Sequence, residues 1–192
     1  WRGYDAIAIT TCVEKRRMIV MDYFDLIEKR ESCRAFNGTM VEKALVIRCL
    51  EAARLAPSAC NGQPWRFIMV TKPESVTALS QCMPPFNRLA GAMIVILEAK
   101  PSLMTTLGNK LKNQDFTQID IGIAASYLTL AATELGLSSC IIGWFDEKRV
   151  KSLFQIPKEQ RIRLIISLGY TDAHQTKPKH RKDLKDMVLF ED

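Results

Sequence analysis

Apolar positions in the first third of the chain recur at helical spacing. Tyr23 and Phe24 are followed one turn later by Ile27, in a stretch that opens on Asp22, runs to Lys29 and should stop near Glu31 and Ser32. A second helix is expected from about Val41 to Leu55, where Ala44, Leu45, Ile47, Cys49, Leu50 and Ala53 form a broad apolar face that ends at Pro57. The period then changes. Arg66 to Thr71 reads as a strand, Pro73 to about Gln81 as a short helix, and Pro84-Pro85 as a break. Ala92 to Glu98 is a nearly continuous apolar run of strand length, which predicts a central strand covered on both faces.

Asp120 to Leu135 is the strongest helical segment. Ile121, Ala124, Ala125, Leu128, Leu130, Ala131, Ala132 and Leu135 leave it almost no polar face, so it must be buried on most sides. Its small residues Gly122, Ala124, Ala125 and Ser126 permit close approach of another helix and offer a subunit interface. Gly136 suits a helix C-cap, Cys140 to Phe145 a strand that includes a glycine turn at Gly143, Glu147 to Phe154 a helix, and Arg161 to Tyr170 a last strand. This alternation gives α/β or α+β and does not by itself order the strands. No internal repeat or low-complexity tract interrupts it.

With 192 residues, 47% hydrophobic and 25% charged, the chain is long and apolar enough for one globular domain. Its formal charge of +6 suits an anionic ligand, but the cations are interleaved with acids rather than gathered in a stripe, which argues against nucleic acid. Cysteines at 12, 33, 49, 60, 82 and 140 form no C-x-x-C pair and have no histidine nearby, so no metal site is signalled. Most lie among aliphatic residues, as reduced thiols of a cytoplasmic protein would. Apolar runs fall short of the roughly 20 residues that span a bilayer, so no membrane partner is expected. In residues 1–20, Ala6-Ile7-Ala8-Ile9 precede Glu14-Lys15-Arg16-Arg17, a charge order opposite to that of a secretory signal. They read as an appendage to a domain spanning 21–192.

Candidate chemistry lies in three polar segments. Pro57-Ser58-Ala59-Cys60-Asn61-Gly62-Gln63-Pro64-Trp65 is a loop stiffened by two prolines and rich in hydrogen-bonding groups. Arg30-Glu31-Ser32-Cys33-Arg34 lies upstream and Lys177 to Lys182 near the end, and together the three offer cations and amide donors to one anionic, planar partner. Taken singly, each has an ordinary reading: a helix-to-strand turn, solvated helix-end cations, a basic tail. Trp65 and Trp144 read as core, His174 and His180 as surface residues, and Cys60 as a small filler. No Ser-His-Asp or Cys-His arrangement supports hydrolysis.

In order and spacing these segments resemble the FMN-dependent nitroreductase family from about Met21 to the C-terminus. The likeness rests on Arg30-x-Ser32-x-Arg34-x-Phe36, the Pro57 to Trp65 turn, Asp120-x-Gly122-x-Ala124, Glu134-Leu135-Gly136-Leu137, Cys140-Ile141-Ile142-Gly143, Leu168-Gly169-Tyr170 and Lys179-x-Arg181. The resemblance implies an α+β fold, a three-layer α/β/α sandwich with a mixed, mostly antiparallel sheet, in an intertwined homodimer with FMN sites between subunits. It implies that Arg30, Ser32, Lys179 and Arg181 grip the phosphate and that Arg34 lies beside the ribityl chain and pyrimidine edge. Pro57, Ser58, Cys60, Asn61 and Gln63 would lie along the isoalloxazine, partly that of the partner subunit, and Ile142 and Gly143 would face N5. Asn87 matches loosely an asparagine that bonds the pyrimidine ring.

The implied reaction is ping-pong, with NADPH or NADH reducing FMN at N5 and a nitroaromatic, quinone or similar small acceptor reoxidising it. The cofactor carries the chemistry, so no side chain is assigned as catalytic. Ile142 stands where longer relatives have an acid, and Lys100 to Gln118 is short for the helices that roof their pocket, so a more open site is expected. Dehalogenation or dehydrogenation on the same flavin, and a non-catalytic basic binding module, are the alternatives.

Overall fold

The computed structural model describes residues 22–99, 115–172 and 178–189. The expected appendage, residues 1–20, and most of the connection read as a missing roof lie outside them. The elements are α1 (Tyr23–Lys29), α2 (Lys43–Arg54), β1 (Trp65–Val70), α3 (Pro73–Ser80), β2 (Ala92–Glu98), α4 (Phe116–Glu134), β3 (Ser138–Ile142), α5 (Glu147–Phe154) and β4 (Ile162–Gly169), with short 3-10 turns at Ala59–Asn61, Pro85–Asn87 and Leu184–Asp186.

The strands form one sheet in the order β1-β2-β4-β3, antiparallel at every pairing. β2 is interior, and Met93 through Ile96 have no exposed surface. Alternation along it explains the layers: Ile94 and Ile96 face one core with Ile166, Leu168 and the buried sides of α2 and α4, while Met93 and Val95 face a second core with Val76, Leu79, Val150 and Ile165. Two packed faces on one sheet make the α+β sandwich expected from the resemblance.

α4 begins earlier than its apolar pattern, because the Asp115 carboxylate caps it by accepting from Gln118 N–H. Ala124, Ala125, Leu128 and Ala132 bury against α2 and the sheet, so two of the four small residues serve the chain's own core. Gly122 and Ser126 lie on an open face with Ile119 and Tyr127. The apolar face of α1 is also open: the helix buries no residue, and Tyr23 and Phe24 are 61% and 67% exposed.

Two further expectations need correction. β3 spans Ser138–Ile142 rather than 140–145, because its ladder with β4 ends at Ile142 opposite Ile165. Trp144 then projects outward at 86% exposure, since the chain is already turning toward Asp146, which caps α5 through Arg149 N–H. Trp65, by contrast, is buried as expected.

One close approach constrains the frame ahead of β2. Gly91 N–H donates to Leu168 O at 2.9 Å, and a Cβ on Gly91 would lie 2.1 Å from the carbonyl oxygen of Thr39. The atom it would strike is backbone, so a side chain must shift the main chain. Gly91→Ala is expected to destabilise the fold by about 1–3 kcal/mol, read as a lower urea midpoint. An unchanged midpoint would show that this segment yields freely.

Candidate functional site on the open edge of the sheet

β3 is an edge strand, and its first part is covered by a segment from the other end of the chain. Ser32 makes a parallel bridge to Ser139, and Cys33 N–H donates to Ser139 O at 2.9 Å. Arg30, Ser32 and Arg34 are thereby set against the start of β3. Gly143 follows Ser139 by four residues, about 13 Å of strand at 3.3 Å per residue. The cationic segment and the glycine turn thus occupy two ends of one edge.

At the cationic end, Arg30 follows α1 and its Nη1 is buried with no hydrogen-bond partner, as is Ser139 Oγ. A buried guanidinium nitrogen without an acceptor is costly, and a bound anion would remove that cost. Lys179 Nζ donates to Ile27 O at 2.5 Å, which docks the 178–189 segment onto the last turns of α1. Two residues on, Arg181 Nη1 donates to His180 O. Three of the four residues assigned to a phosphate grip therefore lie around the C-terminal end of α1, with the fourth two positions further along.

Arg34 is exposed, and its guanidinium carbon lies 5.6 Å from the centroid of the Phe86 ring, within cation–π range. Phe86 sits in the Pro85–Asn87 turn. The Asn87 side chain pins that turn: Nδ2 donates to Pro84 O at 3.1 Å and Oδ1 accepts from Ser167 Oγ at 3.0 Å. Asn87 is wholly buried, so it presents no surface to a ligand, and its amide braces the turn that backs Arg34. Nearby, burial raises the Cys140 thiol pKa and outweighs the lowering effect of Arg34 and Arg30. That side chain is a neutral packing group rather than a thiolate.

Ile142 is buried and Gly143 exposed at the other end of β3. A Cβ on Gly143 would meet nothing within 4 Å, so the space in front of this backbone is open to a planar group.

The Pro57 to Trp65 loop is strained and internally bonded. Cys60, Asn61 and Gln63 have φ of 51°, 51° and 45°, a left-handed conformation that is uncommon for non-glycine residues. Ser58 Oγ accepts from Gln63 N–H at 3.0 Å, and Gln63 Nε2 donates to Asn61 Oδ1 at 3.0 Å. The buried Asp120 carboxylate holds the loop from beneath, accepting from Ala59 N–H at 3.1 and 3.2 Å. Pro57, Cys60, Asn61 and Gln63 remain exposed. The loop leads into β1, on the opposite edge from β3, but at the same end of the sheet as Gly143. Three strand spacings, about 14 Å, separate the two edges.

Asp120, Ser139 and Phe86 enter the site without having been assigned a role in it. Asp120 left a signal, as the only charge between Asp115 and Glu134 in an otherwise apolar segment. Ser139 and Phe86 left none, because their positions depend on a bridge and a ring contact between distant segments.

A model of the nitroreductase family matches residues 27–90 and 84–170. An oxygen-insensitive NADPH nitroreductase of Helicobacter pylori is 27% identical over 211 residues, covering 92% of this chain and 97% of that protein. An iodotyrosine deiodinase of Thermotoga neapolitana is 27% identical over 177 residues, covering 83% and 93%. Among solved structures, an FMN-dependent nitroreductase of Clostridium difficile superposes with a TM-score of 0.69 at 30% identity, covering 87% of this chain and 98% of that one.

The Asp120 contact is testable without any ligand. Asp120→Ala should lower stability by about 1.5–3 kcal/mol, the range for a hydrogen bond to a charged group, and should speed proteolytic cutting within residues 58–63. If both stay at wild-type levels, the carboxylate does not hold the loop.

Proposed function

This chain belongs to the nitroreductase family, and from that premise we propose that it is an FMN-dependent oxidoreductase reduced by NADPH or NADH and working as a homodimer. The observation that carries this reading is the arrangement along β3, with a buried unpartnered Arg30 nitrogen at one end and the open Gly143 backbone at the other. When bound, FMN supplies the capacity to accept hydride from the nicotinamide and, once that has left, to pass electrons to a nitroaromatic, quinone or similar acceptor.

The residues present fit such a group. Arg30, Ser32, Lys179 and Arg181 supply cationic and hydroxyl donors for a phosphate carrying nearly two charges, and one close cation is worth about 4 kcal/mol gross at an effective dielectric near 20. Arg34, backed by Phe86, stands ready to stabilise negative charge on a reduced ring. Gly143 admits a second ring close to the first because no side chain intervenes. Pro57, Ser58, Cys60, Asn61 and Gln63 form a rigid wall, and their place on the opposite edge supports their reaching the ring held by a second subunit. The exposed Tyr23, Phe24, Ile119 and Tyr127 of α1 and α4 supply apolar surface for that association.

A second reading, reductive dehalogenation on the same scaffold, is favoured by the likeness to the Thermotoga deiodinase. It uses the same site and differs in the acceptor.

Purified protein should be yellow, sediment as a dimer, and bleach anaerobically with NADPH or NADH. Flavin that neither nicotinamide reduces would overturn the nitroreductase reading. Arg30→Ala should weaken FMN binding about tenfold to a hundredfold, the equivalent of one charge-assisted hydrogen bond. Arg34→Ala should lower the flavin midpoint potential. Wild-type FMN retention in the first variant would place the phosphate elsewhere, and a wild-type potential in the second would remove Arg34 from the ring.

A further inference from the structure

Beside Gly143 the chain has a cleft of about 380 Å³ that neither the phosphate grip nor the loop accounts for. Ile121, Phe145, Ile162 and Leu164 contribute apolar walls, and Gly143 itself forms part of the lining, so the cleft opens directly onto the turn where a reactant must arrive.

Three charged side chains line it, and two are tightly held by hydrogen-bonded partners. Arg163 places Nε and Nη2 each 2.6 Å from Glu98 Oε2, with Asp115 4.0 Å away. Glu147 Oε1 accepts from Ile162 N–H at 3.0 Å and lies 3.1 Å from Lys151 Nζ. Partial burial pushes the Glu147 carboxyl up, but these partners outweigh that and hold it below its ordinary value of 4.5, so it is an anion whose Oε1 is engaged. Arg161 differs. Its nearest carboxylate oxygen is that same Glu147 Oε1, 3.6 Å from Nε, and its side chain is 60% exposed. Its backbone is nonetheless fixed, because Arg161 O accepts from Glu98 N–H at 2.9 Å. The cleft thus joins apolar side chains to a largely polar lining, with a guanidinium at its rim that is held by one loose ion pair to Glu147 and makes no side-chain hydrogen bond among the described residues.

We infer that Arg161 is a specificity-determining residue that binds an anionic oxygen group of the reactant reaching Gly143. The shared chemistry is a phosphate or carboxylate on a molecule with a flat ring. It has two sources, the ribose phosphate that distinguishes NADPH from NADH and the carboxylate of an acidic aromatic acceptor. This inference rests on the flavin oxidoreductase reading and adds to it the charge of the preferred reactant.

The test compares ratios of kcat/KM in FMN-loaded wild type, Arg161→Ala and Arg161→Lys. One ratio is NADPH over NADH; the other is 4-nitrobenzoate over 4-nitrotoluene. Arg161→Ala should lower one ratio tenfold or more, and Arg161→Lys should restore part of it; which ratio falls identifies the source of the anion. If neither ratio moves by more than twofold, the inference is overturned, whether or not absolute rates drop. A wild-type protein that holds FMN but is reduced by neither nicotinamide fails at the parent reading instead, so the two failures are distinguishable.

Discussion

The parallel bridge between Ser32 and Ser139 is the constraint from which the site follows. An edge strand presents a row of unpaired backbone groups, and capturing it with another segment is a common way to cover it. Here the capturing segment carries Arg30, Ser32 and Arg34, so edge protection and placement of the cations are the same event. The bridge covers only the start of β3, and Gly143 beyond its far end stays open.

The sheet behind that edge is rigid for ordinary reasons. β2 is shielded on both faces, and its neighbours β1 and β4 each pair with it along nearly their whole length. Two polar groups buried in this frame, Asp120 and Ser167, have partners that act on the site at a distance. Asp120 holds the strained loop by its Ala59 N–H, and Ser167 holds the Asn87 amide that supports Phe86 beneath Arg34. Each is a satisfied buried group whose removal would leave its partner unpaired, which couples packing of the core to geometry of the site.

Much of the fold was legible because hydrophobic period reports burial directly. Ala92–Glu98 and Glu147–Phe154 fall where their patterns place them, and the doubly covered run at β2 marked the centre of the sheet. The N-terminal boundary of α4 was missed because its first turn is polar and capped by Asp115. Trp144 was misread because an aromatic residue after an apolar run looks like a strand's continuation, whereas the ladder had already ended at Ile142. Asn87 looks available in sequence because it is a polar residue near a candidate site, and only the fold shows its amide bonded to Pro84 and Ser167 inside the protein.

By itself the sequence determined which residue types are present, where helices and strands form, and which segments carry cations, hydroxyls and amides, since these depend on local periodicity and chemistry. Only the tertiary structure decided the strand order that makes β3 an edge and the bridge that lays Ser32 on Ser139. It also decided the separation of the loop from Arg30 across the sheet, and the ion pairs that hold Arg163 tightly to Glu98 and Arg161 only loosely to Glu147. Those outcomes depend on contacts between residues far apart in the chain, and neither hydrophobic period nor spacing encodes which distant partner a polar group will meet.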